Sequence, residues 1–337
     1  MRPLVLIASA TLVAASLSCR TSPSSSASAS TPAADSAPGA SDPDAPPLPE
    51  RFAAQLERQR AQADKIRARW TPTLRDAITE LTDQPFESTE AALTAILASP
   101  HRPKGNASRD VYRNPKKTLL FFGLQPTMRV FEYGQGAGWY TEILAPLLAR
   151  DGTLHLAGYD DSSGDPQLRY AKLASELFFT APGNLYDKVV PVLQTSLGGP
   201  PNLGEPDSLD MLLVFRMMHN FHRFDMWERI MPVAHTALAP GGVLAVIQHR
   251  AADDANPDKS APMGYLPEPW LVKKVESYGF ALEARSDVNA NPKDTKDYEK
   301  GVWTLPPTLQ LGATDRDKYL AIGESDRSTL KFVKVSR

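Results

Sequence analysis

A chain of 337 residues with 42% hydrophobic content is long enough for one large domain with extensions and apolar enough to bury a core. Its 37 Lys and Arg stand against 39 Asp and Glu, a formal net charge of −2, so no broad basic surface for nucleic acid is expected. A single cysteine, Cys19, excludes an intramolecular disulfide.

The chain opens MRPLVLIASATLVAASLSC. Arg2 supplies a positive start, and Leu4 to Leu17 is an apolar stretch that ends in small residues. The stretch is shorter than the roughly 17–25 residues of a comfortable membrane span, and it predicts a secretory signal peptide over residues 1–19. With Ser18 just before Cys19, it resembles a bacterial lipoprotein signal. That resemblance implies lipid attachment at Cys19 and an exported protein of the periplasm or outer membrane, with a membrane contact through the lipid alone; an ordinary cleaved signal with an incidental cysteine is the alternative. Residues 20–49 are mainly Ser, Ala, Pro and Asp. They cannot bury enough apolar surface to offset their ordering entropy and are expected to be a disordered tether.

A helical preface is predicted over residues 50–108, with helices at Arg51–Trp70 and at 88–100, the second capped by Ser88. A further helical segment, RDVYRNPKKTLLFFGL, leads into an α/β domain over 109–337. Strands are predicted at Met128–Tyr133, Thr153–Tyr159, Lys188–Leu193, Leu209–Phe215, Gly242–His249, Phe280–Arg285 and Thr329–Val335. Helices are predicted between them at Trp139–Ala149, Pro166–Phe179, Phe224–Leu238 and Trp270–Tyr278, with a short one in DRDKYLAIG. Alternating strands and helices imply a doubly wound, Rossmann-like parallel sheet covered on both faces. The apolar runs MLLVF and VLAVI suit its central strands. Pro146, inside the helix after the first strand, is expected to kink it or end it early.

The stretch VFEYGQGAGWYTEIL, Val130–Leu144, joins the first strand to that helix. Gly134, Gly136 and Gly138 tolerate positive φ and keep side chains away from a ligand, and the helix start presents free N–H groups. A dinucleotide loop would place its third glycine where Trp139 stands. The spacing here is instead E-x-G-x-G-x-G, Glu132 to Gly138. It resembles the first motif of class I S-adenosylmethionine-dependent methyltransferases. Asp160, at the end of TLHLAGYDD, lies about 20 residues on, where an acid can bond both ribose hydroxyls; capping of the next helix is the plainer role. ALAPGGVLAVIQH fits the fifth strand of such enzymes. With GWYTEILAPLL, FRMMHNFHR and VNANPKDTKDYEKGVWTLPP, the chain from about Arg109 onward is similar to a group of exported bacterial methyltransferases whose activity is inferred. The resemblance implies S-adenosyl-L-methionine as cofactor and a seven-stranded sheet with an antiparallel last strand. It also implies cofactor contacts from Glu132, Gly134, Gly136, Gly138 and Asp160. Many class I enzymes put an acid after the third strand for the adenine amino group; here LQTSL offers only Gln194, whose amide oxygen can accept that hydrogen bond.

The fourth strand runs into FRMMHNFHR, which would place Arg216, His219, Asn220 and His222 at the ligand edge of the sheet. His219 is a candidate general base and Asn220 an orienting group. His222, His249, Arg250 and Asn291 are candidate substrate contacts, Arg250 for an acidic group and Asn291 from the segment Asn289–Tyr298, a lid or a solvated loop. For each, a structural role is the competing reading. A metal held by the histidines is the less favoured arrangement because His219 and His222 are expected at a strand-to-loop exit with no fixed spacing. Three functions follow: an exported methyltransferase of a small molecule, a catalytically inactive scaffold that kept an adenosyl site, or a metal-assisted hydrolase at the histidines.

Overall fold

The computed structural model describes residues 47–335. The signal peptide, Cys19 and almost all of the tether lie outside the described residues. Helices α1 (Glu50–Arg67), α2 (Pro72–Asp83) and α3 (Thr89–Ala98) come first, then the single turns α4 (Lys104–Ala107) and α5 (Asp110–Arg113), and α6 (Pro115–Phe122). The alternating part follows as β1 (Arg129–Tyr133), α7 (Thr141–Leu148), β2 (Thr153–Tyr159), α8 (Pro166–Thr180), β3 (Val190–Gln194) and β4 (Leu209–Phe215). It continues through α9 (Met218–Arg223), α10 (Trp227–Ala237), β5 (Leu238–His249), α11 (Pro257–Ser260) and α12 (Glu268–Glu276), and ends with β6 (Phe280–Ser286), α13 (Arg316–Ile322) and β7 (Arg327–Lys334).

The strands form one seven-stranded sheet in the order β3-β2-β1-β4-β5-β7-β6. β1 to β5 are mutually parallel, and β7 runs antiparallel between β5 and β6. This is the Rossmann-like sheet with an antiparallel last strand expected from the sequence. The two-residue period of the central strands divides the core between the sheet's faces. Met211, Leu213 and Phe215 of β4 and Val243, Ala245 and Ile247 of β5 face one cluster, with Ile143 and Leu144 of α7. Leu212, Val214, Leu244 and Val246 face the other, with Trp227, Ile230 and Leu271 of α10 and α12. β3 is an edge strand, which is why Pro191, with no N–H to give a ladder, is tolerated there.

The N-terminal helices are part of the same body. Trp70, Ile78, Leu93 and Ile96 pack into the cluster that holds α7, and Phe52 of α1 stacks on Tyr170 of α8 at 5.3 Å. Helix α2 was not expected from the sequence. Its signal was present in Thr71–Pro72, a cap followed by proline at the first helical position, where Thr71 Oγ1 accepts from Leu74 N at 3.3 Å. β5 begins four residues before the predicted Gly242, and Pro240–Gly242 fall in a bulge inside it: Leu209 pairs with Leu238 and Met211 with Val243, and Ala239–Gly242 loop out between.

Pro146 neither kinks α7 out of the core nor stops it at once; every residue of the helix is buried. Proline has no N–H for the carbonyl of Glu142, four residues back. His101 Nε2–H donates to that oxygen at 2.9 Å, while Nδ1 accepts from Ser99 Oγ at 2.9 Å. Burial lowers the His101 pKa to about 4, against the bond to Glu142 that raises it. An imidazole held neutral in this way stabilises the fold at neutral pH, and that stability is lost as pH falls from 6.5 towards 4, because the unfolded chain binds the proton first. His101→Ala is expected to cost about 1–3 kcal/mol at pH 7 and to flatten stability between pH 6.5 and 4, read by urea unfolding at several pH values; an unchanged midpoint at pH 7 would remove His101 from this role.

Candidate functional site

Each of the five parallel strands gives its last residue to one cavity: Tyr133, Tyr159, Gln194, Phe215 and His249. Its volume is about 470 Å³, inside the range of roughly 300–1,000 Å³ usual for small-molecule sites. The chain winds from β1 out to β3 on one side and from β4 to β5 on the other, so the β1–β4 boundary is the topological switch point where such folds bind ligands.

The glycine loop opens on this cavity, and its three glycines do different things. All have positive φ: +72° at Gly134, +58° at Gly136 and +80° at Gly138. Gly136 borders the cavity, and nothing lies within 4 Å of the place a Cβ would take. Gly134 also borders it, and a Cβ there would meet Met217 at 3.0 Å. Gly138 faces protein instead, since a Cβ would strike Phe178 at 2.9 Å and the Tyr186 hydroxyl at 3.0 Å. It allows close packing of α8 and the following turn against the loop. Glu132 is likewise turned into the fold. Its Oε2 accepts from Thr141 Oγ1 at 2.7 Å, tying the end of β1 to the start of α7. Burial raises its pKa to about 7, and the Thr141 bond and the charge of Arg216 work against that rise. The backbone cradle at Gly134–Gly136 thus has room for a ligand that neither the Glu132 carboxylate nor Gly138 borders.

At the end of β2, Asp160 accepts from Ser162 N at 3.0 Å and Ser162 Oγ at 2.8 Å. Those bonds lower its pKa. Asp161 pairs with Lys172 at 2.8 Å. Gln194 is buried, with Nε2 donating to Val192 O and Asn202 O and Oε1 accepting from Asn202 N at 2.8 Å. It closes the loop after β3 while presenting its edge to the cavity.

FRMMHNFHR is a helix after Phe215, not the loop exit expected. Residue Asp225, with φ of +51°, separates it from α10, which occupies Trp227–Ala237 within the predicted Phe224–Leu238. On α9, His219 turns inward. Its N–H donates to Gln248 Oε1 at 3.3 Å, and its Nδ1 lies 3.4 Å from both that oxygen and Gln248 Nε2. Because Nε2 of Gln248 already donates to Gly264 O at 2.9 Å and His249 O at 3.2 Å, the pairing that satisfies both side chains is Nδ1–H to Oε1, with His219 Nε2 the basic nitrogen. Burial brings its pKa down to about 4. His249, with Nδ1 bonded to Ser325 Oγ at 2.6 Å, is pushed well below the ordinary value by burial first and by the nearby His219 second. The two rings are 5.8 Å apart between centroids, both border the cavity, and both are neutral and able to accept a proton at pH 7. Asn220 borders it too.

Three candidates for substrate contact lie elsewhere. His222, one turn beyond His219, bonds Asp258 at 2.8 Å and packs on Trp270. Arg250 is taken up by Asp326 through Nε and Nη2 at 3.0 and 2.9 Å, with Asp287 and Glu268 beside it. Asn291 donates to Ile322 O and Glu324 O and accepts from Lys293 N. Its amide is fully used in holding the loop before β7. The segment 289–298 is therefore internally bonded, and the neighbouring stretch forms the cavity wall instead, through Val302, Trp303, Pro306 and Thr308. Residues not anticipated at the site are Arg113 from the single turn α5, and Glu324 and Ser325 just before β7. Among the described residues, no three His, Cys, Asp or Glu side chains gather as a metal site, and no helix is long and apolar enough to cross a membrane.

No family model matches the chain. A curated relative, "Ribosomal RNA large subunit methyltransferase E" of Acidithiobacillus ferrooxidans, is 25% identical over 123 residues, 36% of this chain and 52% of the relative. The chain thus matches about half the length of that protein. Among solved structures, it is similar to a SAM dependent methyltransferase from Aquifex aeolicus, with 16% identity over 67% of this chain and 93% of that one and a TM-score of 0.41. It is also similar to Haemonchus contortus phosphoethanolamine N-methyltransferase 2 in complex with S-adenosyl-L-methionine, with 14% identity over 73% and 57% and a TM-score of 0.42.

Proposed function

We propose that this chain is an S-adenosylmethionine-dependent methyltransferase acting on a small molecule, exported and held to a membrane by lipid on Cys19. The observation that carries the reading is the side-chain-free backbone at Gly134–Gly136, opening on a cavity of about 470 Å³ at the switch point of the sheet. The curated relative is a methyltransferase, in line with the proposed reaction, but its ribosomal RNA acceptor is not carried over to this chain.

When bound, the cofactor supplies an electrophilic methyl on its sulfonium. The chain's own part is to bind, orient and move a proton. Gly134 and Gly136 leave space for the methionyl part, and Leu197, Leu203 and Ile230 line an apolar wall suited to the adenosine. Asp160, one residue beyond the cavity-lining Tyr159, is the proposed ribose carboxylate, already oriented by Ser162. Gln194 is the proposed contact of the base. His219 is the proposed general base, neutral at pH 7 with its proton-accepting nitrogen set by Gln248, and Asn220 the group that orients the acceptor. Nucleic acid is not the proposed acceptor, since the chain carries a net charge of −2 and the reacting groups line a cavity rather than a surface.

Calorimetry on the full-length protein tests this. S-Adenosylmethionine and its demethylated product are both expected to bind one site per chain; binding of neither would sink the reading. Binding of both, with no demethylated product formed in the presence of any acceptor from a broad panel of small molecules, is the outcome for the inactive scaffold.

A further inference from the structure

The charge around the cavity is one-sided. Four arginines border it, Arg113, Arg216, Arg223 and Arg229, against a single carboxylate, Glu324. That carboxylate is already committed, pairing with Arg109, Arg113 and Arg327. Arg216, Arg223 and Arg229 make no ion pair among the described residues; Arg229 donates to the carbonyl of Gly198 and Arg223 lies over the Phe224 ring. The chain as a whole is slightly acidic, so this excess of positive charge is a property of the cavity.

Arg216 is the most telling of the three. It follows the last residue of β4, half-buried, and its guanidinium has no hydrogen-bond acceptor among the described residues. Its backbone sits at φ +58°, uncommon for a side chain of this size, and is held there by its N–H bond to Ile247 O at 2.6 Å. Burial lowers its pKa, with Glu324 the first of the charges acting the other way. Its nitrogens are not among the side-chain atoms buried without a partner, so they open on the cavity it lines, where a guanidinium with no protein acceptor has its donors available to a ligand. The arginine also lies on the β4–β5 half of the site, with His219 three residues on and His249 across from it. The glycine loop, Tyr159 and Gln194 lie on the β1–β3 half.

Building on the methyltransferase reading, we propose that the methyl acceptor is an anionic small molecule whose carboxylate or phosphate is held by Arg216, with Arg223 adding to the local positive potential. A guanidinium fork can engage either oxyanion through two parallel bonds. The neutral imidazoles of His219 and His249 add no charge to the same wall, so the anion's partner there is the arginine.

The test uses full-length wild type, Arg216→Met and Arg216→Lys, with folding checked by circular dichroism and thermal unfolding. Malonate and inorganic phosphate are titrated into each protein saturated with S-adenosylhomocysteine. One of the two probes is expected to bind wild type, the one that does giving the oxyanion class. Its affinity is expected to fall at least tenfold in Arg216→Met and less in Arg216→Lys, while affinity for S-adenosylmethionine changes less than threefold. Failure of both probes to bind wild type overturns the proposal. So does a tenfold loss of S-adenosylmethionine affinity in Arg216→Met with binding of decarboxylated S-adenosylmethionine unchanged, which would assign the arginine to the cofactor's own carboxylate. A wild type that binds neither adenosyl compound, but binds a probe through Arg216, sinks the methyltransferase reading and leaves the anion site standing.

Discussion

Gly136→Val is expected to weaken S-adenosylmethionine binding by at least about 100-fold, a loss of roughly 2.7 kcal/mol, while the protein stays folded. At φ +58° nothing within 4 Å opposes a Cβ, so the side chain does not collide with the fold. It enters the cavity, in the space the backbone had left open. The left-handed conformation adds about 1–2 kcal/mol of strain for a residue with a Cβ, which thermal unfolding will register as a small shift. Gly138→Val makes the informative contrast. There the Cβ meets Phe178 and Tyr186 within 3.0 Å, so the first thing to suffer is packing between the loop and α8. Calorimetry and thermal unfolding on both variants separate the two roles: binding lost with the fold kept at Gly136, stability lost at Gly138. Wild-type affinity in Gly136→Val would show that the cavity beside the loop is not where the cofactor lies.

That contrast also marks how far the sequence could be read. Three glycines at alternate positions announce a loop of positive φ, and the announcement does not say which of them faces a ligand. The answer depends on Phe178 and Tyr186, some forty residues on, which arrive only with the fold. The parallel sheet was legible because its information is local: MLLVF and VLAVI are buried on both faces, and the helices α7 and α10 carry their own apolar faces. The far wall of the cavity was not, because it is built by residues with no periodicity, Trp303, Thr308 and Glu324, brought back by the path of a long connection into β7. The segment Asn289–Tyr298 shows the limit from the other side. A stretch dense in amides and carboxylates can be waiting for a ligand or satisfying itself. Here Asn289 bonds Thr118 and Thr329, and Asp294 accepts from Tyr265 and from the N–H of Asp326. Composition cannot distinguish these; only the partners can.

The second large effect is expected at Glu324. This carboxylate is 4% exposed and accepts from Arg109 at 2.8 Å, Arg113 at 2.9 Å and Arg327 at 2.9 Å. Arg113 also lies over the Trp139 ring at 4.6 Å, and Arg327 donates to Tyr112 O. One acid therefore joins the segment after α4 to the start of β7, beside the glycine loop. Removing a single partner from a buried ionic cluster leaves the others as uncompensated charge, with a cost of about 3–5 kcal/mol. Glu324→Ala is expected to fall in that range, lowering the unfolding temperature by on the order of 10 °C at two or more degrees per kcal/mol. Glu324→Gln keeps an acceptor but not the charge and is expected to lie between. Asp210 supplies the comparison, since its pair with Arg129 is just as short, 2.7 Å, but 33% and 45% exposed. Asp210→Asn is expected to cost no more than about 1 kcal/mol, because water already screens that pair. Equal losses at the two sites would mean that the Glu324 cluster is not desolvated as described. The larger loss at Glu324 would tie the N-terminal segment to the cavity energetically, because the same carboxylate that fixes Arg113 also keeps it from offering its charge to a ligand, leaving that task to Arg216.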